Sequence, residues 1–352
     1  MPILSRKRPE GPIVGLDIGT SALKVATVEA RHPTYSVKKL GRLALPTGTI
    51  AQGEIIDALT LEGALKELFQ KEEIRSVSVA FAVSGPAVLS KRISIPAMNE
   101  DELEAHLPVL AAQHLPCNPD ESNLDFQILN TITDQAQTME LMLIAVEKIY
   151  LESFLRVIEN ADLHPVAVET VATAFSHLYE PIEIVPSHAL IQMGAEMTHL
   201  MIFEKNLCIF HQTFLTGGQN ISQDLREALH LSLTEAEALK INCSAQRDLP
   251  KETLTIMETS MRSMLTEVHQ GLQFFLSQNP KVHLDKILLS GGASLVSALP
   301  EWTSQEFGYP TEYFSPFKII DRGGNIRSAF ELKQEAAIFS LALGLAMRNC
   351  GS

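Results

Sequence analysis

The chain is short of cysteine. Its four, Cys117, Cys208, Cys243 and Cys350, are far apart and form no CxxC pair. That spacing excludes a disulfide framework and a paired-cysteine zinc site, and it fits a reducing compartment. Basic residues are also scarce, 28 Lys and Arg against 42 Asp and Glu, for a net charge of −14. Such a chain repels phosphate backbones, which excludes nucleic acid as a partner. A single nucleotide needs only a local site and is not excluded. No apolar run reaches the roughly 18 to 20 residues that span a bilayer. The basic run Ser5-Arg6-Lys7-Arg8 leads into Pro9 and Gly11, not into the apolar core of a secretion signal. These absences predict a cytoplasmic protein that reaches a membrane only through a partner. A Walker P-loop, GxxxxGK[ST], is missing as well.

What is present is enough apolar sequence, 45% of 352 residues, for two or more cores. Residues 1–12 read as a polar leader. Ile13 to Leu16 and Leu23 to Val28 are apolar runs around the turn Asp17-Ile18-Gly19-Thr20-Ser21, a β-hairpin signal. A second hairpin of the same design runs from Ala189 to Glu204. Without a gap, Asp17 aligns with Gln192, Gly19 with Gly194 and Glu29 with Glu204, which suggests a duplicated domain. Between the hairpins, residues 45–155 read as an inserted α+β subdomain. It holds a helix over Leu59 to Phe69, strands at Val77 to Val83, Val88 to Ile95 and Met139 to Val146, and a helix capped by Asn99. Downstream, Ser232 and Glu235 form a capping box. A stripe from Leu254 to Phe275 reads as one long helix whose methionines fill a core.

Three motifs carry candidate chemistry. In Asp17-x-Gly19-Thr20-Ser21-x-x-Lys24, successive backbone N–H groups of the turn form an anion nest. The two hydroxyls add donors and Lys24 adds charge for a phosphate. Asp17, at a strand end, suits Mg²⁺ held through water. A plain β-turn uses the same residue types, so the motif alone leaves both readings open. Ser290-Gly291-Gly292-Ala293 follows an apolar strand, and its glycines let a planar group lie on the backbone. Gly217-Gly218 precedes a segment in which Glu237 and Lys240 share a helix face, as a ligand pair or as a solvated ion pair.

The order of these motifs resembles that of the actin, sugar kinase and Hsp70 superfamily, in which two related domains clasp ATP. Within it the sequence resembles the PilM family of type IV pilus assembly proteins. The likeness lies in Gly15 to Lys24, Leu45 to Ile50, Lys91 to Met98, Leu124 to Leu129, Thr234 to Lys240 and Leu289 to Ala293. It implies an α/β, actin-like fold, a duplicated ribonuclease H-like ATPase fold with an inserted α+β subdomain as in PilM and FtsA. The first actin-like subdomain would combine 13–44, 156–188 and 320–352. The second would combine 189–230 and 285–319, with a helical subdomain at 231–284. The resemblance implies ATP and Mg²⁺ between the halves. Phosphates would meet Asp17, Gly19, Thr20, Ser21, Lys24, Gly194, Ala195, Glu196 and Thr198. Gly217, Gly218, Glu237, Lys240, Gly291, Gly292 and Ala293 would hold the adenosine. It also implies a partner, the N-terminal tail of a PilN-like inner-membrane protein, in a groove beside the inserted subdomain, and leaves room for self-association. The machine would be a type IV pilus or a related type II secretion system.

One departure matters. Where the family's second turn reads Asp-Ile-Gly, this chain reads Gln192-Met193-Gly194. Hard divalent cations prefer carboxylates, so metal affinity and ATP hydrolysis are expected to be weak or absent unless Glu196 compensates. Two other readings compete. An FtsA-like division protein is expected to carry an amphipathic membrane helix after a linker, whereas this sequence runs to Ser352 just past its last apolar helix. A small-molecule kinase needs a carboxylate base, and Asp162 and Glu169 sit near strand ends without a recognisable base motif.

Overall fold

The computed structural model describes residues 12–31, 34–131, 138–182, 185–245, 250–296, 298–323 and 328–348. The leader at 1–12 lies, but for Pro12, outside the described residues, as do Cys350 and the side chain of Cys243. The first apolar runs form the strands β1 (Val14–Ile18) and β2 (Ala22–Arg31), followed by β3 (Thr34–Ala44) in an antiparallel meander. A small hairpin, β4 (Ile50–Ala51) and β5 (Glu54–Ile55), leads into helix α1 (Ala58–Lys71), whose first turn is capped by Asp57 accepting from the Thr60 N–H. Then come β6 (Ser78–Val83), β7 (Val88–Pro96), α2 (Glu100–His114), β8 (Ser122–Thr131) and β9 (Thr138–Glu147). The first half ends with α3 (Lys148–Asn160), β10 (His164–Thr170) and α4 (Val171–His177). The second half repeats the meander as β11 (His188–Met193), β12 (Thr198–Glu204) and β13 (Leu207–Phe214). It continues through α5 (Gly218–Leu229), α6 (Leu233–Ala245), α7 (Lys251–Gln278), β14 (Lys286–Ser290), α8 (Leu299–Phe307), β15 (Thr311–Tyr313) and α9 (Ala329–Met347).

The duplication read from the two hairpins extends to whole sheets. The strand orders are β3-β2-β1-β6-β10 and β13-β12-β11-β14-β15. In each, three antiparallel strands are extended by two parallel ones. The parallel strands need crossover helices, supplied by α1 and α3 in the first half. This is the expected actin-like fold.

Two expected boundaries change. Strand β6 pairs with β1 and β10, and Leu61, Leu65 and Leu68 of α1 share a core with Phe81 of β6 and Phe154 of α3. The segment 45–155 is therefore not one insertion. Its ends belong to the first half, and the separate sheet β7-β9-β8, covered by α2, occupies Val88–Glu147 with its own core. The α2 cap is the expected box, Asn99 and Glu102 exchanging side-chain bonds to backbone N–H groups. The chain leaves and returns side by side, with the Glu147 N–H donating to the Ala87 carbonyl at 3.1 Å. Likewise the described residues of 231–284 share the core of the second sheet. Leu225 of α5, Ala236 of α6 and Met257, Met261 and Met264 of α7 are buried with Ile191 and Leu200 of the second sheet.

Helix α9 joins the halves. It lies so close to β1 that a Cβ on Gly15 would fall 1.9 Å from the Ala342 carbonyl oxygen. On its other side a Cβ on Gly344 would fall 2.2 Å from the Ala174 oxygen of α4. Midway along it the Ala337 carbonyl accepts from the Gly291 N–H of the second half at 2.9 Å. One core cluster contains residues of α4, α9, β1–β3 flanks and Leu190, Met201 and Phe203 of the second sheet.

At the end of α9, Arg348 pairs with buried Glu169 at 3.0 Å, and Glu169 also faces His177, which in turn bonds Glu180 at 2.6 Å. Burial alone would raise the Glu169 carboxyl, but the hydrogen bond and charge of His177 and the charge of Arg348 outweigh it and hold it at about 2. Burial would lower His177, but the carboxylates of Glu169 and Glu180 carry it up to about 9. The lowered Glu169 contributes stability above its ordinary value of 4.5 that is lost as pH falls toward 2. The raised His177 contributes stability below its ordinary value of 6.5 that is lost as pH rises through 9. The stabilisation that this cluster gives over a Glu169→Gln variant is therefore expected to be greatest between the two ordinary values and to shrink on either side, as read from urea midpoints across pH.

Candidate functional site

The two hairpin turns face each other across the cleft between the halves. In the first, Asp17 ends β1 and stands opposite Lys24 in the ladder. The Lys24 ammonium donates to Asp17 Oδ2 at 2.8 Å, with both side chains largely buried. A Cβ on Gly19 would come within 3.3 Å of Lys24 Nζ, so glycine leaves room for the ammonium. Lys24 is thus not a free phosphate charge. It neutralises Asp17 across the ladder.

In the second turn the same register sets Gln192 opposite His199. The turn bonds correspond as well, Gly19 N–H to the Ala22 carbonyl at 3.2 Å and Gly194 N–H to the Met197 carbonyl at 2.8 Å. Here no charge remains. Burial drives His199 well below the usual histidine range, and neighbouring His211, 3.2 Å away, down to about 4. Gln192 Oε1 is buried without a hydrogen-bond partner. Thr198 does not face the cleft. It is fully buried and donates to the Thr216 carbonyl at 2.8 Å, bracing the turn. Glu196, by contrast, reaches across the cleft: its Oε2 accepts from the Thr20 hydroxyl at 3.2 Å and from the Gln52 N–H at 2.7 Å.

The expected adenosine residues converge on the same turn. The first N–H groups of α5, from Gly218 and Gln219, donate to the Gly194 and Ala195 carbonyls at 2.9 and 2.7 Å, so this helix end is bound to the second turn. A Cβ on Gly217 would lie 2.5 Å from the Ala195 oxygen. Lys240 Nζ donates to the Gly218 carbonyl at 2.8 Å, Ser222 Oγ at 2.9 Å and Glu237 Oε2 at 2.6 Å. The Glu237–Lys240 pair is therefore a tie between α6 and α5, not a solvated ion pair. Gly291 has φ +87°, and a Cβ there would meet the Met193 oxygen at 2.2 Å. Gly292 faces open space, and Ala293 packs 3.0 Å from the position of a Cβ on Gly218.

Two cavities occupy the cleft. An inner one of about 80 Å³ is lined by Asp17, Lys24, Gln192, His199 and Tyr150. An outer one of about 730 Å³ is lined by Arg42, Gln52, Leu215, Gln219, Glu237 and Lys240. Both are walled by Thr20, Ser21, Ala195 and Glu196. The outer volume suits a ligand of nucleotide size. The donor set does not suit Mg²⁺. Asp17 is paired with Lys24, its counterpart is the amide of Gln192, and among the described residues no group of three or more His, Cys, Asp or Glu is placed to hold a metal. The lining residues Arg42, Gln52, Tyr150 and His199 were not singled out from sequence. His199 was within reach, since the ungapped repeat aligns it with Lys24.

Neither candidate base opens on these cavities. Asp162 is exposed in the turn after α3 and pairs with Lys66 at 3.3 Å. Glu169 is held in its triad with Arg348 and His177. Replacing Lys240 by Met removes these bonds to Gly218, Ser222 and Glu237 and leaves Glu237 without its cation. The expected loss is about 1–3 kcal/mol in urea unfolding.

Comparison with known proteins agrees with this geometry. The family profile described as type IV pilus assembly protein PilM matches residues 15–350. A solved PilM–PilN type IV pilus biogenesis complex is similar at 23% identity, covering 98% of this chain and 100% of that one, with a TM-score of 0.85. The ethanolamine utilization protein EutJ from Carboxydothermus hydrogenoformans is similar at 14% identity, covering 98% and 92%, with a TM-score of 0.59. MreB5 of Spiroplasma citri bound to ADP is similar at 14% identity, covering 96% and 98%, with a TM-score of 0.52. With its duplicated sheets, its facing turns and a profile match over nearly its whole length, the chain belongs to the PilM family of type IV pilus assembly proteins.

Proposed function

We propose that this protein is a nucleotide-binding scaffold of the inner-membrane complex that assembles a type IV pilus, and that it holds its nucleotide without a divalent cation and with little or no hydrolysis. The observation that carries this reading is the asymmetry of the repeat: the charged pair Asp17–Lys24 in one turn, the uncharged pair Gln192–His199 in the other. Nucleotide binding is supported by the outer cavity between the turns and by a fold shared with an MreB that carries ADP. Weak hydrolysis is supported by the missing second carboxylate, since ordering Mg²⁺ and an attacking water calls for charge on both sides of the phosphates. Titration calorimetry with ADP and ATP is the test. Saturable binding is expected to persist in EDTA within about threefold, and Gln192→Asp is expected to make it Mg²⁺-dependent, as a restored carboxylate site should. Failure of the wild type to bind either nucleotide would remove the reading.

The similar solved complex pairs PilM with PilN. By that likeness we assign this chain a PilN-like membrane partner, bound through its N-terminal tail at the cytoplasmic face of the inner membrane. Among the described residues no helix is long and apolar enough to cross a membrane. Exposed Ile149, at the start of α3, gives apolar surface where the chain returns from the inserted sheet. A synthetic PilN tail peptide is expected to bind wild type and to lose about tenfold or more with Ile149→Glu, a loss in the range of a hot-spot residue. Unchanged binding would move the docking surface elsewhere.

A further inference from the structure

The inner and outer cavities meet at a neck made by Thr20 and Ser21 of one turn and Ala195 and Glu196 of the other. The neck is closed. Thr20 Oγ1 and the Gln52 N–H both donate to Glu196 Oε2, at 3.2 and 2.7 Å. Gln52 can offer its N–H because the turn between β4 and β5 is left-handed at Gln52 and Gly53, with φ 49° and 87°. That turn is backed by the Ser84–Gly85 loop, since a Cβ on Gly53 would come within 2.9 Å of the Ser84 oxygen. Three separate segments thus bring two donors and a carboxylate to one point. A hydroxyl and a backbone N–H in a turn are the donors that hold a phosphate oxygen, and here a carboxylate of the chain itself occupies them.

We propose that Glu196 is the residue that sets which nucleotide the cleft accepts: its carboxylate takes the terminal-phosphate position, so that a nucleoside diphosphate binds in the outer cavity and a triphosphate must first expel it. This rests on the nucleotide reading above and deepens it. Carboxylate and phosphate carry the same sign and compete for the same two donors, so they exclude each other. A diphosphate ends before the neck and meets no such competition. The triphosphate binds only the fraction of molecules with the neck open, and its apparent affinity falls by that fraction. Glu196 then does not replace the carboxylate missing at Gln192, because its Oε2 is already engaged by Thr20 and Gln52. Opening the neck also breaks the hydrogen bond that ties the β4–β5 turn of the first half to Glu196 of the second, which gives a triphosphate a structural effect that a diphosphate lacks.

The test is calorimetry in EDTA with ADP and the non-hydrolysable analogue AMPPNP on wild type, Glu196→Gln and Glu196→Ala. Wild type is expected to bind ADP more tightly. Glu196→Ala is expected to tighten AMPPNP by about tenfold while ADP stays within about twofold, as for a gate open in roughly one molecule in ten. An unchanged AMPPNP-to-ADP ratio with normal ADP binding overturns the gate and leaves the nucleotide reading standing. Weaker AMPPNP binding in the variants, seen only with Mg²⁺ added, overturns it in favour of a metal ligand. No binding of either nucleotide to any of the three proteins removes both. A readout free of nucleotide is amide hydrogen exchange at Gln52 in the ligand-free protein. Exchange there should speed by about tenfold in Glu196→Ala, and an unchanged rate shows that the neck bond does not exist in solution.

Discussion

The structure depends on the close approach of backbones around the C-terminal helix. With Gly15 on β1 and Gly344 on α9, helix and sheet meet without side chains between them, and α9 meets α4 in the same way. Any Cβ at these positions would overlap a carbonyl oxygen, and a packed interior has no room to absorb it. Because α9 also bonds the Gly291 loop of the second half, the two sheets are registered against one helix. The geometry of the cleft follows. The turns face each other at hydrogen-bonding distance only because both halves are seated on the same backbone.

On that frame the two turns have diverged in charge while keeping their shape. The ladder positions, turn bonds and glycines correspond one to one, but an ion pair in the first turn is an amide and an imidazole in the second. Burial keeps His199 and His211 neutral, so the difference persists across the physiological pH range. The two halves thus share the shape of the turn and differ in its charge.

Much of this was legible in the sequence, because the signals were local. The hairpins announced themselves by apolar runs around glycine turns, the caps at Asn99 and Ser232 by their i,i+3 carboxylates, and the duplication by an alignment without gaps. The domain limits were not legible. Strand β6 reads as a buried run, and nothing in it says which sheet it joins, since parallel pairing is made with residues far away in sequence. The same holds for α6 and α7, whose apolar stripes do not state what they cover. At the site, the residue types were readable and their partners were not. The sequence does not state that register sets Lys24 opposite Asp17, nor which way the Thr198 hydroxyl points.

The inserted sheet is attached in a way that sets its freedom to change. It departs after β6 and returns into α3 through two adjacent strands, clasped by the bond from Glu147 to Ala87; the face under α2 has a core of its own, while Met142, Ile144 and Val146 of the other face are buried in the core of the first half. Everything between those two residues lies outside the five strands of each large sheet, but its inner face has to keep matching the core of the first half. The outer face under α2 carries no such constraint, so a lineage can refit that face to a new protein while the inner face stays fixed.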